Sequence, residues 1–191
     1  MSKITILVLS FGLMLSCNTT TNPSKISEYF PIDSLVQAQA GYLSQFEVSL
    51  SKHAMDSLSE IRIVQLDSIE WMQELQLFTS LDINKPAYVD AYDSQIFDDR
   101  NSNLTILNYS ANSDDLSVKE INIYYLRSLK DVKRITAKIG SQNILYGSSK
   151  FISMEFEQFQ TVPLLRGYSI VGTKKLKFRD SVDIKIIGKV M

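Results

Sequence analysis

Few residues in this chain are equipped for chemistry. Cys17 is the only cysteine and His53 the only histidine among 191 residues. Cys17 ends an apolar leader, which removes it from thiol catalysis and thiolate metal sites if it is modified there. His53 stands between two strand-like runs, where a solvated turn histidine is a simpler reading than a catalytic base. A serine–histidine–aspartate triad would have to use it, and no Gly-x-Ser-x-Gly elbow supplies the serine. None of the seven glycines builds a phosphate-cradling loop. Asp99-Arg100-Asn101-Ser102-Asn103 imitates the opening of a calcium loop, but the sixth position is Leu104 rather than glycine and the twelfth is Ser110 rather than an acid. Asp114-Asp115 reads as turn chemistry. Two carboxylates on adjacent elements suffice for glycoside hydrolysis, so carboxylate-only catalysis stays open. Most acids here alternate outward along strand-like runs, as solubilising residues do. The expectation is therefore a non-enzyme, with no catalytic residue, no metal and no cofactor.

The leader places the chain. Lys3 precedes an apolar run over residues 4–15, and the small Ser16 follows it. A charged start, about 7–15 apolar residues and a small residue before the cut make a secretory signal. The run is too short for a membrane-spanning helix, which needs about 20 residues. After Cys17, Asn18-Thr19-Thr20-Thr21-Asn22-Pro23-Ser24 reads as a polar tether. A lone cysteine in this position resembles the lipobox of bacterial lipoproteins, although Met14 and Leu15 stand where the usual pattern has leucine and a small residue. The resemblance implies cleavage before Cys17, a diacylglycerol thioether on its sulfur and a further acyl chain, such as palmitate, on its amine. The alternative is an ordinary signal peptide ending near a free cysteine; a free thiol in an oxidising compartment is a hazard. By the same resemblance, Asn18 rather than aspartate gives no inner-membrane retention signal, and no acidic cluster marks surface export. The expected address is the periplasmic face of the outer membrane, held by the lipid anchor.

The rest of the composition suits one folded domain. The chain is 45% hydrophobic and 10% aromatic, with 20 basic against 21 acidic residues, which argues against disorder. Without a basic block, nucleic acid is not an expected partner. Residues 1–16 read as signal peptide, 17–30 as acylated cysteine and tether, and 31–191 as a single α+β domain.

Apolar spacing sets the expected elements. Ile32, Leu35, Val36, Tyr42 and Leu43 recur at helical period after Pro31. Residues 46–65 read as a hairpin, with its turn at 53–57. Asp67-Ser68-Ile69-Glu70 fits a capping box ahead of a helix bearing Trp71, Met72, Leu75, Phe78 and Leu81. Pro86 opens a short second helix that ends near Asp93, and residues 93–103 read as a loop. The remainder alternates as strands, through Ile106, Ile121 and Ile123, Ile135 and Ala137, Ile152 and Met154, Tyr168 and Ile170, and Ile184 and Ile186. One apolar and one polar face per strand predicts a curved antiparallel meander of about six or seven strands packed on N-terminal helices. Trp71 is expected in the core among Ile121, Ile135, Met154 and Ile184 rather than in a ligand site.

The runs DSIEWMQELQLFTSLDINKPAYVDAYD, over 67–93, and LLRGYSIVGTKKLKFRDSVDIKIIGKV, over 164–190, resemble uncharacterised lipoproteins of Bacteroidota. That resemblance supports the lipobox and implies no activity. Two functions remain in view: an envelope lipoprotein that binds a protein partner as an accessory or scaffold subunit, or a binder of a lipid or other apolar small molecule within the curved sheet. The anchor is directly testable. Mass spectrometry of the mature N-terminal peptide is expected to find Cys17 acylated, and Cys17→Ala to leave uncleaved precursor or soluble protein. An unmodified thiol on the wild-type peptide would overturn the lipoprotein reading.

Overall fold

A computed structural model of the chain describes residues 29–191 except 47, 58, 67, 143–144 and 177–179, with the backbone alone over 59–65. The leader, Cys17, most of the tether and Asp67 lie outside the described residues.

The described elements are α1 (Ile32–Leu43), β1 (Leu50–Asp56), β2 (Ser59–Leu66), α2 (Trp71–Thr79), a 3-10 turn (Pro86–Tyr88), β3 (Tyr92–Asp98), β4 (Thr105–Ala111), β5 (Val118–Tyr125), β6 (Val132–Gln142), β7 (Tyr146–Phe159), β8 (Val162–Leu176) and β9 (Val182–Val190). All strands join one open antiparallel sheet in the order β2-β1-β9-β8-β7-β6-β5-β4-β3. The α+β class and the antiparallel sheet are as expected, but the sheet is larger than six or seven strands. A meander runs from β3 to β9, and the β1–β2 hairpin extends it beyond β9 to nine strands. The hairpin is held there by the chain's end: Ser49 and Met191 exchange backbone hydrogen bonds of 2.9 and 3.1 Å.

Helices cover one face. Ile32, Val36, Ala40 and Leu43 form the buried stripe of α1, and Trp71, Leu75 and Phe78 that of α2. The stripes meet Ile121, Ile123, Ile135, Ile152 and Met154, all essentially inaccessible to solvent. Gln39 is buried with them. Its amide donates to Pro163 O at 2.8 Å and accepts from Leu165 N–H at 2.7 Å, beside the bulge where β8 slips one residue against β7 at Glu155/Phe156. A side-chain amide thus serves backbone groups where the ladder is irregular.

Both helices begin without a side-chain cap of their own, at Pro31 and Glu70. The capping box is therefore not realised. Ile69 packs against the core and residues 69–70 stay non-helical, so α2 starts three residues later than the box requires. The start of α1 is served from a distance. Asp82 is buried and accepts from Asp33 N–H at 2.7 Å, while its second oxygen accepts from Asn84 N–H at 2.7 Å. A carboxylate at a helix N-terminus is favoured by the exposed amides and the helix dipole.

Further expectations need correction. Residues 93–98 form β3 rather than a loop; their Asp, Ser and Gln content is poor in strand formers but common on edge strands. The Pro86 segment is one 3-10 turn rather than an α-helix. His53 lies in mid-β1, between Ile63 and Ile187, and not in the hairpin turn, because the strand runs on to Asp56. Phe46 lies in the bend that follows α1 and not in a strand. Tyr29 and Phe30, counted with the tether in sequence, already join the core: Tyr29 stacks edge-on against Tyr92 and Tyr109, and Phe30 N–H donates to the Tyr109 hydroxyl at 3.0 Å.

Trp71 is 3% exposed and shares its core cluster with Ile121, Ile135 and Met154. Ile184 does not join them. It points to the same face but lies beyond the helical cover, 40% exposed. Trp71→Ala should cost about 3–5 kcal/mol through lost transfer energy and the cavity left behind, a large share of the about 5–15 kcal/mol typical of a domain. Trp71→Phe should be milder and Ile184→Ala nearly neutral. Urea midpoints of the three variants check the order.

Candidate functional site

Strand register sorts the covered face into rows. Met154, Tyr168, Gly188 and Lys52 stand side by side across β7, β8, β9 and β1. The next row is Ile152, Ile170, Ile186 and Ala54, and the one beyond is Lys150, Gly172, Ile184 and Asp56. Helical cover thins along this series, from inaccessible Met154 to exposed Lys150 and Ile184.

The first row carries a polar clamp. Glu74 of α2 takes Lys52 Nζ on both carboxylate oxygens, at 2.8 and 3.0 Å, and accepts the Tyr168 hydroxyl on Oε1. Burial, then the hydrogen bond to Glu74 and its charge, push the Tyr168 phenol well above its ordinary value. Its ring meets Phe78 edge-on at 5.2 Å and lies over Gly188, where a Cβ would stand 2.3 Å from the ring. Only glycine allows that approach. The three groups satisfy one another, so the arrangement fastens α2 to β1 and β8. Sequence reasoning placed Tyr168 on a strand but passed over Lys52, Glu74 and Gly188. The signal was Lys52, a cation on the inward parity between Leu50 and Ala54.

Past the clamp lies an apolar groove of about 330 Å³. Ile170, Ile184 and Ile186 form its floor and Leu77 of α2 its wall, with Lys150 and Lys174 at its β7–β8 side. The Lys150 stem lies against Gly172, whose added Cβ would stand 3.0 Å from Lys150 Cγ, and Lys174 Nζ sits 5.5 Å from the Tyr146 ring centroid.

The opposite face is polar. Ser110, Asn108, Asn122, Glu120 and Lys138 form a hydrogen-bonded chain with spacings of 2.9, 2.8, 2.8 and 2.5 Å. Burial raises the Glu120 carboxyl, but Lys138 and Asn122 outweigh it and hold the group below its usual value. At the sheet's end, β3 pairs only with β4 among the described residues. It presents Ile96 and Phe97 at 67% and 46% exposure, among the exposed Asp93, Ser94, Gln95 and Asp98.

The residues singled out in sequence do not converge. His53 is half-buried, with its Nε2 3.4 Å from Ser51 Oγ. Asp99 caps its own tight turn, accepting from the Ser102 hydroxyl at 2.7 Å and from Asn101 N–H at 3.2 Å, and these bonds hold its carboxyl below the usual range. Among the described residues no three His, Cys, Asp or Glu side chains stand close enough to share a metal ion. Trp71 is core, its edge bordering a depression of about 730 Å³ with Leu43, Ser44 and Glu70. Cys17 lies outside the described residues.

The phenols make a pH prediction. Burial, then the neighbouring Tyr88 and Tyr29, push Tyr92 up to about 12, and Tyr168 is raised as well. A group raised in the folded state gives stability fully present below its unfolded value, about 10 for tyrosine, and lost as pH rises through the folded value. The urea midpoint should therefore fall steeply above about pH 10, and Tyr168→Phe should flatten that decline while costing about 0.5–1.5 kcal/mol at neutral pH. Phenolate absorbance should show two or more tyrosines ionising only with unfolding.

Compared with known proteins, the chain matches no family model, no curated protein and no solved structure.

Proposed function

We propose that this chain is a lipid-anchored envelope lipoprotein, acylated at Cys17 on the periplasmic face of the outer membrane, whose domain is a non-enzymatic subunit that binds a protein partner. The anchor rests on residues 1–17. The binding role rests on the β3 edge. An edge strand offers a row of unpaired backbone groups, and proteins ordinarily blunt such edges or use them to add a partner's strand. Here the edge carries two large exposed apolar side chains, Ile96 and Phe97, one on each face.

Charge selects the occupant. Asp90, Asp93 and Asp98 line this side, with Arg100 beyond them. A second copy of β3 would bring its own Asp93 and Asp98 to an edge whose strand carries no cation, and like charges gathered in this way repel. An extended segment with basic side chains and apolar residues to meet Ile96 and Phe97 fits instead. The competing reading, a carrier with an enclosed apolar cavity, has less room: the space beneath α1 and α2 is filled by Trp71, Leu75, Phe78 and the facing isoleucines.

In-cell photo-crosslinking from position 95, with the anchored full-length protein, is the test. A discrete heterologous adduct is expected, lost in Ile96→Lys and Phe97→Asp without a change in urea midpoint. Self-adducts alone, or a heterologous adduct indifferent to both substitutions, would overturn the reading.

A further inference from the structure

The groove beside α2 supports a second, separate role. We propose that it binds a monoacyl anion, the chain of a fatty acid lying along Ile170, Ile184 and Ile186 with its carboxylate at Lys150 and Lys174. Four observations carry this. The floor and the Leu77 wall are apolar and continuous with the core, yet Leu77 and Ile184 are 36% and 40% exposed. A chain laid there would continue the rows already buried beneath α2.

Charge is polarised along those rows. Lys150 and Lys174 stand at the β7–β8 side, while Asp56, at the β1 end, is the sole carboxylate among the described residues of the two outer rows. Glu74, on the same helix as Leu77, is taken by Lys52 and Tyr168, so it is committed to the clamp rather than to these lysines. The amphiphile's charged end is thus set toward β7–β8. Size fixes the number of chains. At about 330 Å³ the groove stands at the small end of the about 300–1,000 Å³ common for ligand pockets, which suits one chain rather than the two of a phospholipid.

The two sites are independent, since β3 lies at the far edge of the sheet from the β7–β9 ends. The test uses the full chain carrying Cys17→Ala, so that no acyl group of its own competes, titrated calorimetrically with laurate below micellar concentration. One saturable site is expected. Dodecyltrimethylammonium, of equal chain length and opposite charge, should bind at least about tenfold more weakly, a gap of about 1.4 kcal/mol. Ile184→Glu should weaken laurate at least about tenfold. The double variant Lys150→Gln, Lys174→Gln should narrow the gap between laurate and the ammonium. All these positions are exposed, so urea midpoints should not move. Absence of a saturable site, equal affinity for anion and cation, or laurate binding unchanged in both variants would each overturn the proposal. Should Ile184→Glu unfold, Ile184→Ser and the lysine variant decide the outcome in its place.

Discussion

Everything in this fold answers to one constraint: β2 and β3 are consecutive strands that stand at opposite edges of the same sheet. With neighbouring strands about 4.8 Å apart, the connection must span on the order of 38 Å. Residues 67–91 are its only material. Coiling nine of them into α2 covers about 14 Å, and the remainder, which could reach farther at about 3.3 Å per residue, has slack enough for the 3-10 turn at Pro86–Tyr88. The crossing also decides which face is covered, and therefore where every apolar row must point.

A crossing segment with this much slack needs fastening, and the polar groups buried against it do that. Lys52, Glu74 and Tyr168 hold α2 down at one side, Asp82 joins the segment to the start of α1, and the tyrosines at 29, 88, 92 and 109 close the β3 end. Removing one partner of such a pair leaves a charge or hydroxyl with its desolvation unrepaid, which is why these contacts specify position more than they add net stability. Gly188 belongs to the same device, because a side chain there would expel the Tyr168 ring.

Much of this was legible in the residues. Period-2 alternation gave β5 through β9, with their faces, because their apolar parity is unbroken; β4 was read on the parity of Ile106, whereas Leu107 and Tyr109 face the helices and four successive residues are buried. The α1 and α2 stripes were equally plain. What escaped was decided by non-local partners. β3 has the composition of a loop and is a strand only because β4 offers it a ladder. The start of α2 was misplaced because the capping box competes with burial of Ile69 and Trp71. Ile184 has the parity of a core residue, and only the length of α2 leaves it uncovered. Of the surfaces that matter for function, neither the groove nor the β3 edge has a local motif. Each is made by what is missing beside it, a further turn of helix in one case and a tenth strand in the other.

The proposed anchor also bears on how those two surfaces would be presented. Tyr29, the first described residue, is pinned to Tyr88 and Tyr92 at the beginning of β3, so the tether leaves the domain from the β3 side. Between Cys17 and Tyr29 the chain can extend at most about 40 Å. On the proposed anchoring, the start of β3 is then kept within that distance of the membrane surface, and the groove at the β7–β9 ends is several strands farther along the sheet. A partner reaching β3 would approach close to the bilayer, where segments rich in lysine and arginine also concentrate against anionic headgroups. The acidic residues flanking Ile96 and Phe97 would compete for the same basic segment, drawing it from lipid to strand. Position on the tether and charge on the edge therefore favour the same kind of partner.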